Sequence, residues 1–105
     1  MPSTGLNNYE IMIIIKPSLE EEGADRVVAG IEEHIKAAGG IIEETDKKGR
    51  RRLAYEIDKT RDGFYVLIQF QAKPESITAL KRMTVLSDDI IKSLIVVRED
   101  EVVLA

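Results

Sequence analysis

The stretch YEIMIIIKPSLEE, residues 9–21, changes period halfway along. Its first half is short and β-branched, as a strand from Tyr9 to Lys16 requires. Tyr9, Ile11, Ile13 and Ile15 share one face; Glu10, Met12, Ile14 and Lys16 share the other. Pro17 ends the strand. Ser18, with Glu21 three residues on, matches a capping box and predicts the start of a helix. Beyond it Val27, Val28, Ile31, Ile35 and Ala38 recur at helical spacing, and Gly39-Gly40 stops the helix.

Working outward, Ile41 and Ile42 open a second strand, Asp46 to Gly49 read as a kink or bulge, and Leu53 to Ile57 resume the extended pattern. The segment DKTRDG is a polar turn ending at Gly63. FYVLIQFQA then alternates, with Val66, Ile68 and Phe70 on one face and Tyr65, Leu67 and Gln69 on the other. Pro74 suits the first turn of a second helix, whose stripe is Ile77, Leu80, Met83 and Leu86. A last strand runs from about Ile90 to Arg98. The order is β-α-β-β-α-β. Right-handed crossovers put both helices on one side of the sheet. The expected fold is therefore α+β: a ferredoxin-like sandwich, a four-stranded antiparallel sheet with two helices on one face. Residues 1–8 are expected as a flexible N-terminal arm, 9–98 as the domain and 99–105 as a short C-terminal tail.

A two-layer sandwich leaves one sheet face uncovered. If Ile11, Ile13 and Ile15 meet the helices, Met12 and Ile14 point outwards, joined by Tyr65, Leu67, Leu94 and Val96. Six apolar residues on one open face predict a partner surface.

Composition narrows the function. The 105 residues suffice for one core. With no cysteine, disulfides, thiol catalysis and Cys-based zinc sites are excluded, which fits a reducing cytoplasm. No apolar run approaches a membrane span, and MPSTGLNN lacks the pattern of a secretory signal. The one histidine, His34, sits near the edge of the first helix's apolar stripe, where a boundary role is the ordinary one. Glu43 and Glu44 are neighbours in a strand and should point to opposite faces, so they form no catalytic dyad. No phosphate loop, metal-ligand spacing or nucleophile elbow is present. The expectation is a protein that is not an enzyme, with no cofactor, metal or small-molecule substrate.

Charge points elsewhere. The chain is acidic, with 15 Lys+Arg against 19 Asp+Glu, yet Lys47, Lys48, Arg50, Arg51 and Arg52 fall within six residues. Screening confines fields to roughly 8 Å at physiological salt, so a local basic face is compatible with an acidic whole. Arginine's planar fork suits phosphate. On a strand Arg50 and Arg52 face one way and Arg51 the other. A charge-guarded edge strand is the competing reading, though lysine alone would serve it. DGFYVLIQF, residues 62–70, has the strand composition of an RNA-recognition module, but Tyr65 and Val66 occupy its small-residue and second stacking positions. Base stacking on the open face is therefore not expected, and protein contact with that face is.

NYEIMIIIKP, GRRRLAYEIDK and SDDIIKSLIVVR, in that order and spacing, resemble the bacterial small-subunit ribosomal protein six family over about residues 8–98. The resemblance implies a ferredoxin-like fold, a cytoplasmic, ribosome-associated protein, contact with the central domain of small-subunit ribosomal RNA, and cooperative binding with small-subunit ribosomal protein eighteen. Carried over by position, it implies RNA contacts for Tyr9 and Lys92, contacts with RNA or with the protein partner for Arg51 and Arg52, with Arg50 beside them as an RNA candidate, and packing for Leu53. Met12, Ile14, Tyr65, Leu67, Leu94 and Val96 are then the candidate partner surface. This chain has Glu56 where members commonly have proline, and the short tail EDEVVLA where many have a longer one lying along the partner. The alternative is a ferredoxin-like interaction or oligomerisation module without RNA affinity.

Overall fold

The computed structural model describes residues 5–57 and 60–98. Strand β1 (Asn7–Ile15) leads through a 3-10 turn (Pro17–Leu19) into helix α1 (Glu20–Ala37). Strands β2 (Ile41–Ile57) and β3 (Thr60–Ala72) form a long hairpin. A second 3-10 turn (Pro74–Ser76), helix α2 (Ile77–Leu86) and strand β4 (Ile90–Val97) complete the order. The sheet runs β2-β3-β1-β4, with every neighbouring pair antiparallel. This is the ferredoxin-like arrangement. β1 starts at Asn7, so Asn7 and Asn8 of the expected arm belong to the sheet. Residues 1–4 and the expected tail, 99–105, lie outside the described residues.

The core follows the alternation. Ile11, Ile13 and Ile15 of β1 and Ile68 and Phe70 of β3 are fully buried against Val28, Ile31 and Ile35 of α1 and Leu80 of α2. Each such aliphatic side chain contributes about 1.5–3 kcal/mol on burial. On α2 the stripe ends earlier than expected. Leu86 is exposed, and the buried position falls to Thr84, whose hydroxyl bonds the Lys81 carbonyl and the Ser93 hydroxyl of β4, each at 2.9 Å. On α1 Ala38 is exposed, and Ala24 takes the buried place one turn before Val28.

The start of α1 differs from the capping box. Ser18 lies inside the 3-10 turn that follows Pro17, and no side chain caps the helix. Glu20 bridges turn and helix at φ 61°, a conformation that favours glycine. Three glutamates in the first turn still complement the helix dipole. The far end matches expectation. Gly39, at φ 90°, donates to Lys36, and Gly40 donates to Ile35, closing a Schellman motif.

The β2–β3 hairpin has the largest consequence. β1 pairs with β3 only as far as Phe64, whereas β2 pairs with β3 back to Thr60. Thr60 to Gly63 are therefore strand and not part of the polar turn, and the hairpin projects past the end of β1. The register shifts between Ile42 and Glu44, between Lys47 and Gly49, and between Arg52 and Ile57. Gly49, at φ 84°, marks the expected bulge.

Candidate nucleic-acid interface

The five clustered cations are not equivalent. Lys47, paired with Val66, points to the helix side and reaches Asp25 of α1 at 3.1 Å. Lys48 meets Asp46 at 2.8 Å, and Arg50 meets Asp62 across the hairpin at 2.9 Å. Arg51 donates through Nε to the Lys48 carbonyl at 3.2 Å. Among the described residues neither Arg51 nor Arg52 has a carboxylate partner. Cross-strand partners share a face, so Arg50 and Arg52, opposite Phe64 and Asp62, point to the helix side, and Arg51, opposite Gly63, to the open side.

Lys92 joins them from the opposite edge strand. It pairs with Ile14, on the open face, and its Nζ stands 6.0 Å from the centre of the Tyr55 ring. The hairpin thus curls over one end of the open face. Gly63 permits this, because a Cβ there would fall 2.7 Å from Ile14 Cγ2 and 2.9 Å from the Ile15 carbonyl oxygen. Arg51, Tyr55 and Lys92 gather at that end.

Two candidates, expected at the surface, are buried. Tyr9 is only 5% exposed; it stacks on Phe70 with centroids 5.7 Å apart, opposite the open face. Its parity with Ile11 makes its ring part of the core. Ile14 lies on the open face but is 3% exposed, covered where Gly63 and the hairpin close over it. It supports the apolar surface from beneath. Met12, between Leu67 and Leu94, remains half-buried, as does Tyr65, while Leu94 and Val96 are 51% and 44% exposed.

Other features escape strand alternation. The bulge after Ile42 turns Glu43 and Glu44 to the same face, contrary to expectation. Glu43 is tied up there, accepting from Arg98 at 3.0 Å and from Gln71 at 2.7 Å, so it clasps the two sheet edges together. Tyr55 is 64% exposed beside the cations, a position that only the curl of the hairpin reveals. His34 is half-buried on α1; the cleft of about 420 Å³ between the helices is lined by Leu19, Val27, Ile31, Met83 and their neighbours.

The chain has clear relatives in sequence and in fold. Residues 8–97 match the family model described as ribosomal protein S6. The small ribosomal subunit protein bS6 of Desulforamulus reducens is 42% identical over 91% of this chain and all of its own length. That of Clostridium acetobutylicum is 43% identical over 87% of this chain and 96% of its own. The crystal structure of 30S ribosomal protein S6 from Thermotoga maritima superimposes with a TM-score of 0.86 at 29% identity, covering 90% of each chain. The C-terminal domain of MgtC from Mycobacterium tuberculosis, at 15% identity and a TM-score of 0.65, shares the fold alone. The chain belongs to the ribosomal protein S6 family, structural constituents of the small ribosomal subunit and not enzymes.

Proposed function

We propose that this chain binds the central domain of small-subunit ribosomal RNA together with small-subunit ribosomal protein eighteen. The observation that carries the RNA part is that Arg51 and Arg52 on the projecting hairpin have no carboxylate partner among the described residues, with Arg51 turned to the open side and Lys92 at the same end of that face. Among the described residues their guanidinium groups have no carboxylate partner to give up, so phosphate contact breaks no ion pair seen there. The partner occupies the adjoining apolar surface of Met12, Tyr65, Leu67, Leu94 and Val96, supported by Ile14. Apolar surface and cations then lie side by side, so protein and RNA meet along one boundary. An acidic chain whose clustered cations are confined to one hairpin has weak affinity alone, and that supports cooperative binding.

The test is a titration of a central-domain RNA fragment with and without protein eighteen, at two salt concentrations, for wild type and Arg51→Ala/Arg52→Ala. Binding should be tight only with the partner. The double substitution should weaken it and reduce the salt slope by about 1 to 2. Unchanged binding by the double variant would move the arginines to a solubility role. No binding by the wild type, with the partner folded and the RNA site complete, would favour the oligomerisation module.

A further inference from the structure

We propose that Tyr55 is a stacking platform for one unpaired nucleobase, with Arg52 and Arg61 holding the flanking phosphates. This rests on the RNA reading above and assigns it a contact that charge alone does not supply.

The three tyrosines differ in their surroundings. Tyr9 is core, Tyr65 lies half-buried in the sheet, and Tyr55 stands 64% exposed on the projecting hairpin. A single exposed aromatic is unremarkable by itself. Tyr55, however, lines a cleft of about 280 Å³ with Arg52, Leu53, Glu56 and Arg61. Leu53 is buried, so the cleft has an apolar floor, and Arg52 and Arg61 are exposed cations on its rim. Lys92 Nζ stands 6.0 Å from the ring centre, at the outer limit of a cation–π contact. In so solvated a setting that contact alone gives little reason to hold the ring.

An aromatic face set among cations is what single-stranded nucleic acid requires: the ring takes a base and the cations take the backbone. Glu56 sharpens the orientation. Its carboxylate repels phosphate, which steers the backbone to Arg52 and Arg61 and turns the base toward the ring. A paired base has both faces stacked within its helix, so the ligand is an unpaired nucleotide in a loop, bulge or junction. The platform sits on the hairpin, away from the centre of the sheet, where Val66 leaves no second aromatic.

The test compares Tyr55→Leu and Tyr55→Phe in the assembly with protein eighteen and the central-domain fragment. Circular dichroism and thermal melts verify that each variant folds, and ultraviolet cross-linking of the wild type is mapped by mass spectrometry. Tyr55→Leu should weaken RNA binding about tenfold, within the range for a lost base stack. Tyr55→Phe should stay within about twofold, because it keeps the ring. Neither should change the salt slope, and RNA should cross-link at residue 55. Wild-type affinity in Tyr55→Leu would overturn the inference and leave the RNA reading standing. So would an equal loss in Tyr55→Phe, or a cross-link from residue 55 to the partner protein. Failure of the wild type to bind RNA would overturn both.

Discussion

The central strand β1 and the projecting β2–β3 hairpin use the same residue types in opposite ways. On β1 Tyr9 is swallowed by the core and stacks on Phe70; on the hairpin Tyr55 stands in solvent beside Lys92. Ile13 and Ile14 are adjacent and both buried, one by the helices and one by the hairpin's own curl. On β1 a residue's role follows from its parity. On the hairpin it follows from bulges, from which cations find a carboxylate, and from where the strand pair bends.

The largest test of that contrast is the pair of tyrosines. Tyr9→Ala removes a buried ring and should destabilise the protein by about 3–5 kcal/mol, as large aromatic truncations in cores do. Tyr55→Ala should change stability by no more than about 0.5 kcal/mol. Urea unfolding of both variants measures the difference. Equal costs would mean that the hairpin is as much part of the core as β1.

Much of this was legible in the sequence, for a definite reason. Period-2 and helical stripes are read directly from Tyr9–Ile15, Phe64–Phe70 and Val28–Ile35, and they fix the element order and the core. Even Tyr9 was legible, since alternation puts it with Ile11; the family resemblance alone points it at RNA. What failed to show depends on departures from alternation or on distance. A single bulge turns Glu43 and Glu44 to one face. Ser18 loses its capping role because Pro17 starts a 3-10 turn. Tyr55 meets Lys92 across the width of the sheet, and no local pattern encodes the curl that joins them. Which of five neighbouring cations keep a free charge depends on Asp25, Asp46 and Asp62, two of them far away in sequence.

A smaller effect tests the curl itself. Gly63 is where hairpin and β1 approach most closely, and a methyl group there would meet Ile14 and the Ile15 backbone. Gly63→Ala should therefore cost about 1–3 kcal/mol, the range for overpacking. The hairpin should lift, exposing Ile14 and parting Tyr55 from Lys92. Hydrogen exchange would show faster exchange in β3 near Phe64 but little change around Ile11. A neutral effect on both readouts would mean that the hairpin holds its position without that contact.

The smallest expected effect on stability is the most informative about charge. Asp62 neutralises Arg50 in a half-exposed pair, and such pairs contribute about 0–1 kcal/mol. Asp62→Asn should thus leave the urea midpoint almost unchanged. It removes one negative charge from the hairpin and frees Arg50 beside Arg51, Arg52 and Arg61. If free cations on the hairpin set RNA affinity, the variant should bind more tightly at low salt and show a salt slope steeper by about 1. Tighter binding with an unchanged slope would mean that Asp62 acted only by repelling the RNA backbone, without Arg50 making a contact of its own. Weaker binding would mean that the pair holds Arg50 in a productive geometry. The count of free guanidinium groups would then be the wrong measure of this surface, and their fixed placement the right one.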